Sequence, residues 1–135
     1  MDSKSTYKIR RGAIRLGQML DIVFPVDTEL LGAMILAKSI GMIAGMRGGG
    51  KSWLAMLIAY AISGGKSLDP WGTGAGLPAL ILDGEMRSAS LQERLALIHA
   101  SNNDDDSRRS AEKNLHIISR DCMSVEIGSI DTVDG

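Results

Sequence analysis

Cysteine is almost absent: the 135 residues contain one, Cys122. A single thiol excludes an internal disulfide framework and suits a reducing cytosol. Histidine is scarce as well. His99 and His116 stand alone, without the short spacings that gather metal ligands, and ordinary helix-face and strand positions account for them. Net charge is nearly zero, with 15 basic and 16 acidic residues, so bulk charge gives no argument for a nucleic-acid partner. Only the N-terminal segment is biased, through Lys4, Lys8, Arg10, Arg11 and Arg15, and it reads as a solvated basic arm. No secretory signal follows Met1, because the next residues are polar. The run Leu30 to Met46 is apolar, but Lys38, Gly32, Gly41 and Gly45 interrupt it. It reads as a buried helix end followed by a buried strand rather than a membrane span. What remains is an ordinary composition, 44% hydrophobic and 23% charged. A chain of this length buries roughly two-thirds of its unfolded surface, enough for a core. One soluble, cytoplasmic domain, or part of one, is expected.

Against that plain background one segment stands out. Gly45-Met46-Arg47-Gly48-Gly49-Gly50-Lys51-Ser52 spells G-x-x-x-x-G-K-[ST], the Walker A phosphate-binding loop. A phosphate chain needs many donors converging on a small volume. Glycines let the backbone curl so that successive N–H groups point inward, and they keep side chains out of the way. Lys51 then serves the β- and γ-phosphates, and the Ser52 hydroxyl serves Mg²⁺. The candidate nucleotide-binding set is Gly45, Met46, Arg47, Gly48, Gly49, Gly50, Lys51, Ser52 and Trp53. A glycine-rich linker is the plain alternative, and the flanks argue against it. Ser39 to Ala44 is a short apolar run expected as a strand buried on both faces. Lys51 to Ser63 is rich in Ala, Leu and Met and expected as a helix, with Gly64-Gly65 as its left-handed stop. The helix N-terminus then aims its free N–H groups and partial positive charge at the phosphates.

Lys66 to Pro78 holds Pro70, Trp71, Pro78 and five residues from Gly72 to Gly76 rich in glycine, a loop signature. Ala79 to Asp83 is expected as a second buried strand. A helix follows from about Ser88 to Ser90, with Ser90 and Glu93 spaced as a capping box. Leu91, Leu95 and Ile98 give that helix one apolar face. Ser101 to Ser110 is expected as a polar loop, and Leu115 to Ser119 as a third strand. Ser124 to Gly135 reads as loop or weak strand. Alternating strands and helices imply an α/β fold with a parallel sheet, flanking helices and right-handed crossovers.

Asp83 and Glu85 form a second constellation. Carboxylates just beyond a parallel strand face the sheet edge where ligands of open α/β folds bind. Hydrolysis needs a water oriented in line with the γ-phosphorus and relieved of its proton. Glu85 suits that catalytic role beside Lys51, and Asp83 suits a Mg²⁺ contact through water. The plain reading is that one of the pair caps the next helix.

At these residues a resemblance becomes specific. Gly41 to Ala55, and still more Ala79 to Leu95, resemble RecA-like AAA-family ATPases related to the plasmid replicative helicase RepA. The similarity runs from about Met34 to Asp121. It implies an N-terminal arm and lead-in over residues 1–33, and the N-terminal part of a RecA-like P-loop NTPase domain over residues 34–135. It implies ATP and Mg²⁺ as cofactors and a Glu85 that activates water. It also implies DNA as a partner of the full-length parent, and homo-oligomeric rings with ATP between subunits. A Walker B strand ending in aspartate, a γ-phosphate sensor and a basic residue that completes the neighbouring site are not recognisable before Gly135. The core is therefore expected to be incomplete at its C-terminus, and the 135 residues are not expected to hydrolyse ATP by themselves. Two alternatives stand beside this reading. Leu82 to Arg87 is similar to the acceptor-binding segment of adenylylsulfate kinases, though its asparagine is missing. A non-hydrolysing, ATP-binding assembly module is the other.

A parallel sheet without its central strands leaves unpaired backbone groups along apolar edges. Each such group, buried without a partner, costs about 1–3 kcal/mol, against a total stability of about 5–15 kcal/mol. The chain expressed alone is expected to be marginally stable or to aggregate. A monomer with one sharp, cooperative thermal transition would overturn that expectation.

Overall fold

The computed structural model describes residues 13–121. Lys4, Lys8, Arg10, Arg11, Cys122 and the expected loop or weak strand at Ser124 to Gly135 lie outside them. Helix α1 (Leu16–Leu20) opens the described chain, followed by strands β1 (Glu29–Leu31) and β2 (Ile35–Leu36). Helix α2 spans Lys51–Gly64, strands β3 and β4 are Ser67–Leu68 and Gly72–Thr73, and β5 is Ala79–Asp83. Helices α3 (Ser88–Ala100) and α4 (Asp105–Asn114) lead to β6 (Leu115–Ser119).

The expected parallel pairing is present. Strands β5 and β6 run parallel in register from Ala79 opposite Leu115 to Asp83 opposite Ser119. Parallel neighbours need a long crossover, and here α3 and α4 supply it. The core lies between this pair and the helices: Met56 and Tyr60 from α2, Leu91 and Ile98 from α3, and Ala111 from α4. Trp53, Leu57, Ile81, Met86, Leu95 and Leu115 pack around them. The Leu91–Leu95–Ile98 face therefore packs inward as its spacing predicts.

Helix α2 is the element most thoroughly surrounded. Its end behaves as expected: Gly65 takes the left-handed conformation at φ 64°. Buried helix ends need partners for their last carbonyls, and these have them. The Ser63 carbonyl accepts from Ser110 Oγ at 2.8 Å and from Asn114 Nδ2 at 3.4 Å. The Ile62 carbonyl accepts the N–H groups of Gly76 and Leu77, and Ala61 that of Lys66. A Cβ on Gly64 would lie 3.0 Å from Ser107 Oγ and 3.1 Å from the Ser107 carbonyl, so glycine lets α2 and α4 approach closely.

Several expectations need correction. Residues Ser39 to Ala44 form no strand: they carry no regular structure, and Ile40 and Met42 are 100% and 90% exposed. A strand exists through its ladder, and residues 40–44 make no backbone hydrogen bond among the described residues. The apolar run Leu30 to Met46 accordingly holds no buried helix end. Its first part is the β1–β2 antiparallel hairpin, with Glu29 opposite Leu36 and Leu31 opposite Ile35. The loop Lys66 to Pro78 contains its own antiparallel pair, Ser67 opposite Thr73 and Leu68 opposite Gly72. That pair joins the first hairpin through a bridge between Leu31 and Gly74. Strand β5 is covered on one face only, since Leu80 and Leu82 are 57% and 72% exposed.

The polar stretch Ser101 to Ser110 is not all loop, because α4 begins at Asp105. The Asp104 carboxylate accepts the N–H groups of Asp106 and Ser107, while Asp105 and Asp106 favour the first turn and Lys113 the last. Helices shorter than about 12–15 residues are marginal alone. This one is held by docking Ser107 and Ala111 on α2. The expected capping box at Ser90 and Glu93 is also absent, since α3 starts two residues earlier and places Ser90 inside the helix.

Gly74 sits where a Cβ would overlap the Ala61 carbonyl. Gly74→Ala is expected to force the β4 end off α2 and cost about 1–3 kcal/mol, the usual scale of overpacking, read as a lowered midpoint in thermal denaturation.

Candidate nucleotide site

The glycine-rich loop leads directly into α2. Gly48 and Gly50 hold φ 79° and 83°, left-handed conformations that side chains strain. These two residues turn the chain so that it enters the helix tightly, with the Gly49 N–H donating to the Met46 carbonyl at 3.1 Å. Lys51 folds back over the loop, its Nζ donating to the carbonyls of Gly45 and Met46 at 2.7 Å each. An ammonium has three donors, and these contacts use two of them.

The first helical hydrogen bond runs from the Leu54 N–H to the Gly50 carbonyl at 2.9 Å. The N–H groups of Gly48, Gly50, Lys51, Ser52 and Trp53 find no acceptor among the described residues. The loop is exposed, so these groups face solvent. One end of α2 is therefore closed by protein donors to its carbonyls, and the other presents a cluster of unfilled donors beside a lysine.

Across a cleft of about 370 Å³ stand Asp83 and Glu85. Ser52, Ala55, Met56 and Ala59 of α2 line one wall, and Leu80 to Asp83, Glu85, Met86 and Leu91 line the other. Ser52, Asp83 and Glu85 are thus brought to one cleft, as expected of groups at the same sheet edge. Arg47 is exposed at the loop, while Trp53 turns toward the core.

The two carboxylates differ in what they already do. Asp83 Oδ1 accepts the N–H groups of Glu85 and Met86, at 2.9 and 3.2 Å, and so shapes the turn after β5. The capping alternative weighed for this pair holds for neither carboxylate: Asp83 bonds backbone ahead of α3, and the Ser88 N–H that opens the helix donates to Asp121 instead. The Glu85 side chain makes no hydrogen bond or ion pair among the described residues, and it is exposed. No group of three or more metal-ligating side chains occurs among the described residues.

Sequence reasoning missed two contributors. Asp121 Oδ2 accepts the Ser88 N–H at 3.0 Å, supplying α3 with the cap its own sequence lacks, and Ser88 Oγ meets Ser119 Oγ at 2.6 Å. Arg94 of α3 lies over the Trp53 ring, 5.3 Å from its centroid. Neither contact has a local sequence signal, because each joins residues more than thirty positions apart. His99 also does more than occupy a helix face: it bridges Tyr60 Oη at 2.8 Å and Glu112 Oε1 at 3.0 Å.

A glycine-cornered loop opening a helix beside a parallel strand that ends in carboxylates defines an α/β nucleotide-binding domain. Comparison with known proteins agrees: the family model of the AAA domain matches residues 15–127. The chain belongs to that family of ATPase domains. No curated protein and no solved structure matches it. No helix of the described residues is long and apolar enough to cross a membrane.

The Asp121 carboxylate is held below its ordinary value of 3.8, first by the backbone N–H of Ser88 and then by its hydroxyl. Its folded-state value lies below the unfolded one, so its contribution is complete above the ordinary value and fades as pH falls through the folded one. Asp121→Asn is therefore expected to be less stable than the parent near neutral pH, with the gap closing in acid below about pH 4. Thermal denaturation across that range checks it, and a gap independent of pH would reassign the contact.

Proposed function

We propose that the loop Gly45 to Ser52 binds Mg·ATP as part of a RecA-like ATPase. The observation that carries this reading is the convergence of unfilled N–H donors and Lys51 at one end of α2, opposite an unengaged carboxylate. The N–H groups of residues 48 and 50–53 receive phosphate oxygens, with the helix N-terminus adding its partial positive charge. Lys51 exchanges carbonyl contacts for the β- and γ-phosphates, gaining charge-assisted hydrogen bonds. The Ser52 hydroxyl, and Asp83 through water by its second oxygen, would hold Mg²⁺. That ion supplies charge neutralisation on the phosphate oxygens.

Glu85 is the residue for proton transfer. Its carboxylate is unoccupied and lines the cleft with Ser52, whereas Asp83 is committed to the turn. In the reaction the water oxygen bonds to the γ-phosphorus, the bond to the β-phosphate oxygen breaks, and Glu85 accepts the proton. Likeness of the two motif segments to helicases of the RepA type supports a motor that acts on DNA as a homo-oligomeric ring, with residues 34–135 forming the N-terminal part of its core.

Lys51→Ala is expected to remove most affinity for a fluorescent ATP analogue, because it deletes the full positive charge assigned to the phosphates. Equal affinity of variant and parent would sink the lysine assignment. In the full-length parent, Glu85→Gln is expected to keep binding and lower turnover by about 10²-fold or more, the scale of general-base loss. Undiminished turnover would leave Glu85 a structural or substrate-contact role.

A further inference from the structure

Trp53 and Arg94 connect the two elements that face each other across the cleft. Trp53 belongs to the first turn of α2, directly after Lys51 and Ser52. Its ring packs on the core cluster that includes Met56 and Leu91. Arg94 shares the inward side of α3 with Leu91, Leu95 and Ile98, and its guanidinium carbon lies 5.3 Å from the indole centroid. Arg94 is half-buried, yet it forms no ion pair among the described residues. Its partner is the ring face, which attracts a cation while leaving its charge unneutralised.

We infer that Arg94, acting through Trp53, is a positioning residue that holds the first turn of α2, with Ser52 and its free N–H groups, in place against the wall of the cleft that carries Glu85. The inference deepens the ATP reading of this site and rests on it. Glu85 stands three residues before Ser88, the first residue of α3, in the turn that Asp83 holds. A shift of α3 relative to α2 therefore carries Glu85 toward or away from Ser52. The apolar packing between these helices, in the cluster that holds Met56, Tyr60, Leu91 and Ile98, is non-directional. A cation held over the indole face is attracted toward that face, which adds a directional contact to the apolar packing. Because Trp53 adjoins Ser52, a ligand that draws in the loop also moves the indole against Arg94.

The test uses the full chain in a Trp71→Phe background, where Trp53 becomes the sole tryptophan. Mg·ATP affinity is measured with a fluorescent analogue, and Trp53 emission is followed separately on adding Mg·ATP. Arg94→Met, of similar length without the charge, is expected to weaken binding about 3- to 10-fold, the range of a single cation–π contact. It is also expected to remove most of the nucleotide-dependent change in Trp53 emission. Arg94→Lys is expected to restore at least half of both, since an ammonium still sits over the ring. A purely structural arginine would show neither the emission change nor rescue by charge. Should Arg94→Met lose its helical circular dichroism, Arg94→Gln takes its place. Parent-like affinity and emission in the folded uncharged variant would overturn the inference. Lys51→Ala separates the two levels: if it binds as the parent does, the ATP reading has failed. If it alone loses binding, only the role of Arg94 has.

Discussion

Helix α2 is buried toward its C-terminal end, at Tyr60, Ala61, Ser63 and Gly64, while its other end is left open, and the rest of the molecule is arranged around that asymmetry. Burying a helix terminus costs about 1–3 kcal/mol for each carbonyl left without a donor, so the C-terminal end is surrounded by donors. Ser110 and Asn114 of α4 serve Ser63, and the backbone of Gly76, Leu77 and Lys66 serves Ile62 and Ala61. Glycines at 64 and 74 make room for those donors to approach. The opposite end receives no such treatment. Its N–H groups stay in solvent beside Lys51, which is the condition for binding an anion there.

The same economy separates the carboxylates near the cleft. Helix and turn N–H groups attract acidic side chains, and both Asp83 and Asp121 are used this way, one on the turn after β5 and the other on the first residue of α3. Glu85 is left over. Its longer side chain reaches beyond the turn into the cleft, and nothing in its surroundings competes for it. A carboxylate that shapes backbone and one left without a partner thus sit two residues apart, distinguished by their hydrogen bonds rather than their chemistry.

Elements with dense local signals were legible in advance. The loop Gly45 to Ser52, the helix that follows it, its stop at Gly65, and strands Ala79 to Asp83 and Leu115 to Ser119 stand where the sequence places them. Helix α4 had a readable signal too: Asp104 as cap, acids in the first turn and Lys113 in the last. Its low hydrophobicity hid it, because α4 docks through Ser107 and Ala111, small residues that need little apolar surface. The run Ser39 to Ala44 failed for the opposite reason. Its residues suit a buried strand, but a strand is defined by partners, and among the described residues none lies beside it.

Local chemistry, then, determined what the sequence could determine alone: glycines where the backbone must turn left-handed, a lysine and serine at fixed offsets, an apolar helix, and carboxylates at a strand end. Each depends on residues within about one turn or one strand of each other, where geometry follows from spacing. Tertiary structure decided which groups meet. It paired β5 with β6, brought Ser52 and Glu85 to one cleft, set Arg94 over Trp53 and lent Asp121 to α3. Those contacts span thirty or more residues, and no spacing rule reaches that far. Closing such separations depends on how whole elements pack, because burial is non-directional and only the assembled helices and strands turn it into particular distances.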